Sequence, residues 1–295
     1  MTFDPVSRHM EDEPMEALVA HVTLIQAEAE RLAQYLATMP PDAWRQPSAC
    51  QGWEVRDVVA HLIQGAQFYV HTISRGVQGD MARPPELASP AIARATLIAQ
   101  SAIACRERLG EALLPTFRTR YVELSALLAQ LSGGDWEKLC YYSSEPRSRP
   151  VREFLALSVQ ELAIHGWDIR SRLEPAFHLS PESVAVLVQH TPRRLGRPHR
   201  AVFSLPPEFS GPVRFRWELC GAVVDTRDIV VEHERCRMEP ATASAAQVTF
   251  RAAAETFVLL FYQRLPLTAA TATDSLVVEG DGKLITAFDR WLQGG

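Results

Sequence analysis

Apolar residues recur every three to four positions from residue 15 to residue 39 (Leu18, Val22, Ile25, Ala29, Leu32 and Leu36, with His21 among them), until Pro40 and Pro41 stop the run. This spacing predicts an amphipathic helix. The turn-forming stretch PPDAWRQPSACQG then leads into a second helical pattern over residues 54–75. GDMARPPELASP reads as a further loop, and helical spacing resumes to about residue 131 with a break expected near Pro115. After the loop SGGDWEKLCYYSSEPRSRP comes a helix over residues 151–173. Amphipathic segments joined by loops in this way predict a four-helix bundle with elaborations.

Beyond Pro181 the period changes. A short helix over residues 182–195 is followed by strand-like alternation over residues 200–205, 212–220, 223–232 and 247–251. A helix over 252–263, a strand over 276–279 and a closing helix over 281–292 complete the pattern. Strands beside helices without regular βαβ alternation predict an α+β domain. The expected fold class is therefore α plus α+β: a helical bundle over residues 14–175, then a smaller α+β domain over 180–295. Residues 173–181 read as the linker, and residues 1–13 as a disordered tail.

Composition narrows the function classes. With 295 residues, 47% apolar and 22% charged, the chain is ordinary globular protein. A net charge of −5 without a basic stripe argues against nucleic acid as the main partner. No apolar run is long enough to span a bilayer, and the polar N-terminal stretch lacks a signal-peptide layout, so a cytoplasmic protein is expected. Five scattered cysteines without a CxxC fit neither a disulfide framework nor a zinc finger. Only Lys138 and Lys283 are lysine among the 30 basic residues, a bias expected of a GC-rich genome such as that of an actinobacterium.

Polar residues interrupt two inward stripes. On the helix over 151–173 one face reads Phe154, Leu155, Ser158, Glu161, Leu162, His165, Gly166, Ile169. This sets a carboxylate and an imidazole one turn apart where a core is expected. The stripe of the second helix, Val58, His61, Leu62, Gly65, Phe68 or Tyr69 and Thr72, contains another imidazole. An uncompensated buried carboxylate is costly, and either a cation or a hydrogen-bonded Glu–His pair would compensate it. His61, Glu161 and His165 together form a two-histidine, one-carboxylate set that leaves one position open on a tetrahedral zinc ion, and iron accepts the same ligands. There is no HExxH, and a di-iron bundle would need more carboxylates. Asp57 and Asp168, each one turn from a histidine, are either partners that orient the rings or solvated charges. Cys50 lies just before a helix, where thiols can be activated, but no histidine adjoins it in sequence. It reads as a packing residue, as do Trp53 and Trp167.

The stretches PSACQGWEVRDVVAHL (residues 47–62) and ELAIHGWDIR (161–170) resemble the mycothiol-dependent maleylpyruvate isomerase family, within the DinB-like metal-dependent bundles. FYQRLPL (261–267) and VVEGDGKLITAF (277–288) are similar to that family's sterol-carrier-like C-terminal domain. The resemblance implies that His61, Glu161 and His165 bind a divalent metal, usually zinc. It also implies that Arg264 reaches the bundle site and holds a substrate carboxylate. The implied cosubstrate is a low-molecular-weight thiol, mycothiol, and the implied partner a small electrophilic molecule. Addition of the thiolate to an electron-poor double bond would give isomerisation if the sulfur leaves again and thiol transfer if it stays. Glu54 stands where the family has a Ser or Thr helix cap, and Gln263 where a glycine commonly precedes the arginine. Because one scaffold serves several reactions, a metal-dependent hydrolase or lyase and a non-catalytic metal- or ligand-binding protein remain as alternatives.

Overall fold

The computed structural model describes residues 14–82, 94–142, 148–195, 203–209, 211–232 and 235–293. They fall into two compact units, one within Met10–Phe177 and the other within His178–Gly295. The tail expected over residues 1–13 lies outside the described residues.

In the first unit α1 (Met15–Thr38) buries Leu18, Val22, Ile25, Ala29, Leu32, Ala33 and Leu36, nearly the stripe read from the sequence. Next come α2 (Val55–Val77), α3 (Arg94–Leu109), α4 (Leu113–Ala129) and α5 (Val151–Arg170). α1 and α2 each pack against both α4 and α5, which closes a four-helix ring, and α3 lies along α2. Three expectations change here. The break before α4 falls at Gly110, in a left-handed conformation with φ 51°, and not near Pro115. Pro115 sits in the first turn of α4, where a missing N–H leaves no bond unmade. α5 stops at Arg170, short of residue 173. The expected loop between α4 and α5 contains a small antiparallel hairpin, β1 (Leu139–Tyr141) with β2 (Ser148–Pro150). β1 lies against the end of α2, where Thr72 Oγ1 donates to Tyr141 O at 2.6 Å.

The second unit opens with α6 (Pro181–His190), whose N-cap Ser180 Oγ accepts from Ser183 N at 3.2 Å. The helix expected over 182–195 is interrupted before Pro192, which starts the short α7 (Pro192–Leu195). A five-stranded sheet follows: β3 (Val213–Cys220), β4 (Asp225–Glu232), β5 (Arg235–Pro240), β6 (Val248–Ala253) and β7 (Leu276–Gly280), in the order β5-β4-β3-β6-β7. β3 and β6 are parallel and the other pairs antiparallel. Of the strand expected over 200–205, residues 200–202 lie outside the described residues and 203–205 form no strand. The apolar signal there is Phe203, buried against Phe215, Phe288 and Trp291.

α8 (Ala254–Phe261), α9 (Leu267–Ala272) and α10 (Gly282–Leu292) complete the unit. Phe288 of α10 touches the rings of Phe203, Phe215, Trp217, Phe250, Phe261 and Trp291, so aromatic packing joins helix to sheet. On β3, Val213, Phe215, Trp217 and Leu219 point into this core while Arg214, Arg216 and Glu218 alternate outward. Arg216 stands opposite Asp228 of β4, and its Nε and Nη2 donate to that carboxylate at 2.9 and 3.1 Å.

Candidate metal centre

Helical periodicity places the site. Glu161 and His165 are one turn apart on α5, and His61 faces them from α2. His61 Nε2 is 3.1 Å from Glu161 Oε2, and His165 Nε2 is 3.4 Å from the same oxygen. The imidazole centroids are 4.8 Å apart with the rings at 78°. One ligand atom from each of the three residues lies within 4.8 Å of the other two. Zinc bonds of about 2.0–2.2 Å at tetrahedral angles separate neighbouring ligand atoms by about 3.3 Å, so this spacing fits such an ion with little movement. Two imidazoles and a carboxylate also leave a coordination position for something else.

The electrostatics explain how the cluster tolerates its place. Burial opposes the charge on Glu161, but hydrogen bonds from His165 and His61 outweigh it and hold the carboxyl well below its ordinary range. Burial likewise opposes a charged His165, yet hydrogen bonds with Asp168, Cys50 and Glu161 raise its pKa well above the ordinary histidine value. The same carboxylate that favours a charged His165 would favour a bound cation in its place. Nearby on α4, burial and then the Glu161 charge push the Tyr121 phenol well above its usual pKa, so it stays a neutral hydroxyl.

The two aspartates that resembled each other in sequence part company. Asp168 is fully buried, and its Oδ2 lies 2.9 Å from His165 Nδ1, so it orients that ring. Asp57 is buried too, but it serves the start of α2: its Oδ2 accepts from Glu54 N at 2.9 Å and its Oδ1 from Arg106 Nη1 at 2.8 Å. The spacing Glu54-x-x-Asp57, that of a capping box, was the signal for this role, and Glu54 occupies the N-cap without a hydroxyl. Neither aspartate is a solvated charge.

Cys50 is the residue whose surroundings the sequence hid. Its Sγ donates to Asp168 Oδ2 at 3.0 Å and lies 3.7 Å from His165 Nδ1. Trp53 packs edge-on against His61, with centroids 5.3 Å apart, whereas Trp167 is half-buried on α5. One turn beyond His61, a Cβ on Gly65 would meet no atom within 4 Å.

Arg264 belongs to the second unit. It follows the last turn of α8, its N–H donating to Leu259 O at 2.8 Å and its Nη1 to Tyr262 O at 2.9 Å. Gln263 before it adopts φ 58°, the left-handed conformation for which glycine is usual, and its Nε2 donates to Leu292 O at 2.8 Å.

Comparison with known proteins adds the following. Residues 25–170 match the family of the mycothiol maleylpyruvate isomerase N-terminal domain, and residues 214–293 match the SCP-2 sterol transfer family. A crystal structure of the mycothiol-dependent maleylpyruvate isomerase is 15% identical, with 91% of this chain and 94% of that one covered and a TM-score of 0.59. A single-site mutant of that isomerase gives 14% identity, the same coverage and a TM-score of 0.57. At these identities the likeness is one of fold. No curated protein sequence matches the chain. Among the described residues no helix is long and apolar enough to cross a membrane.

Proposed function

The chain belongs to the mycothiol-dependent maleylpyruvate isomerase family, and from that premise we propose that it is a zinc-dependent enzyme using mycothiol against a small electrophilic substrate that bears a carboxylate. The observation that carries this reading is the convergence of His61 and His165 on the Glu161 carboxylate at 3.1 and 3.4 Å. When bound there, Zn²⁺ or another divalent metal supplies Lewis acidity that makes a thiol sulfur nucleophilic near neutral pH.

The chain's own residues do the rest. His61 and His165 present imidazole nitrogens, and Glu161 supplies the negative charge that holds a cation. Asp168 fixes the ring of His165. Gly65, one turn past His61, has no atom within 4 Å of where a Cβ would stand, and we assign that space to the bound molecule. Arg264 is the residue we assign to the substrate's carboxylate, because a planar guanidinium matches that group with two parallel hydrogen bonds. The reaction is isomerisation or thiol transfer, according to whether the sulfur leaves the substrate.

Two measurements test the proposal. Elemental analysis of the dialysed protein is expected to give one divalent metal per chain, reduced in His61→Ala while the bundle stays folded. Candidate electrophiles are then incubated with mycothiol, with glutathione and with no thiol, and products are read by mass spectrometry. Turnover with mycothiol supports the reading, and turnover without any thiol replaces it with a hydrolase or lyase. Arg264→Ala is expected to keep metal and thermal transition while losing roughly a hundredfold in kcat/KM, the usual scale for losing one charge-stabilising donor.

A further inference from the structure

We infer that residues 47–54 form a clasp that positions both histidines of the site, through Trp53 on His61 and through Cys50 and Asp168 on His165. The inference rests on the reading of His61, Glu161 and His165 as metal ligands. Its starting point is Asp168, a fully buried carboxylate that must be given donors. Two of them meet at a single oxygen: Oδ2 lies 2.9 Å from His165 Nδ1 and 3.0 Å from Cys50 Sγ. The backbone is tied as well, since Ala49 N donates to Asp168 O at 2.8 Å.

This arrangement selects the working nitrogen of His165. A proton held on Nδ1 by Asp168 leaves Nε2 as the atom that faces Glu161, at 3.4 Å. The Cys50 thiol keeps the carboxylate turned to that task by occupying the same oxygen from the loop side. At the other end of the loop Trp53 lies against the ring of His61 at 60°.

The loop itself is closed, so its two ends act together. Ser48 N and Ser48 Oγ each donate to Trp53 O at 2.9 Å, and Cys50 N donates to Ser48 Oγ at 3.2 Å. Gly52, at φ 79°, supplies the left-handed residue this turn requires. Pro47 and Glu54 pair across its base. Cys50 and Trp53 therefore share one small frame, and the frame bears on both histidines. Cys50 and Asp168 are positioning residues here, acting through His165.

A different role for the same atoms is a direct competitor. Cys50 Sγ, His165 Nδ1 and Asp168 Oδ2 lie close enough together to bind a metal themselves, with Cys50 as a ligand. The test uses the full-length protein with Zn²⁺ and Co²⁺ as probes. Zn²⁺ affinity is measured by competition with a chelator for wild type, Cys50→Ser, Cys50→Ala and Asp168→Asn, with circular dichroism to verify folding. Asp168→Asn is expected to weaken binding by about 10–100-fold, the scale for a lost partner of a ligating histidine. Cys50→Ala should weaken it less, and Cys50→Ser, which keeps a donor, should restore it. The Co²⁺ spectrum should lack a thiolate-to-metal charge-transfer band. Wild-type affinity in both Asp168→Asn and Cys50→Ala overturns the clasp, as does a charge-transfer band that disappears in Cys50→Ser. Should the variants fail to fold, nitrogen-15 shifts of Zn²⁺-loaded wild type decide: metal on Nδ1 of His165 overturns the inference and metal on Nε2 upholds it. A wild type that binds neither ion removes the metal centre itself, and the clasp with it.

Discussion

Gly65→Ala should make the protein more stable and less active. Gly65 lies inside α2, one turn past His61, with an ordinary helical backbone. A Cβ built there meets no atom within 4 Å, so the substitution meets no steric opposition. What changes in the fold is backbone entropy: alanine gives up less freedom than glycine in a helix interior, a gain of about 0.8–1.0 kcal/mol. For a domain of this size, that raises the thermal midpoint by roughly 2–4 °C. On the proposed function, the same methyl enters space one turn past His61 that a thiol or substrate would occupy, so KM for one of them should rise. Thermal unfolding followed by circular dichroism gives the first number, and steady-state kinetics in both substrates give the second. A stabilised variant with unchanged kinetics would show that the space beside Gly65 is not used. A destabilised variant would refute the claim that the space is open.

Gly76→Ala, three turns further along the same helix, should do the opposite. Its Cβ would collide with Cys140 Sγ and stand 2.8 Å from Leu139 O and 3.0 Å from Cys140 Cα. Overpacking outweighs the helix-propensity gain, for a net loss of about 2 kcal/mol in urea unfolding. Adding Cys140→Ala should recover part of this loss, because the backbone contacts remain. Burial opposes the charge of Asp228, but hydrogen bonds and charge from Arg216, helped by Arg214, hold its pKa below the ordinary value. A carboxyl depressed in the fold contributes stability above the unfolded carboxylate range and loses it as pH falls through the folded value. The acid limb of the second unit's stability curve should therefore flatten in Asp228→Asn. At neutral pH that variant should lose about 2 kcal/mol, below the figure for sealed ion pairs because both arginines reach solvent.

Legibility in the sequence followed the strength of each periodic signal. The stripes of α2 and α5 were long enough to place His61, Glu161 and His165 inward, and a polar residue inside an apolar stripe stands out in any sequence. The β1–β2 hairpin has three-residue strands, too short to alternate visibly. β5, an edge strand with no fully buried residue, reads RCRMEP and presents no apolar face to detect. Asp57 and Asp168 were indistinguishable by spacing because both lie one turn from a histidine. What separates them is which neighbouring element comes near, Arg106 of α3 for one and the loop at Cys50 for the other. Cys50 read as a packing residue because its partner histidine is distant along the chain and near only in space.

The turn at Gln263 has a consequence for how the protein can vary. A glycine there would adopt φ 58° freely, whereas glutamine carries a steric penalty that its side chain offsets by holding Leu292 O. The backbone that leads into Arg264 is consequently moored to the last turn of α10, residues remote from it in the chain. Substitutions near Leu292 that loosen this turn would reach the guanidinium without touching it. Replacement of Gln263 by glycine would uncouple the two and let the end of α10 drift in sequence without disturbing the arginine.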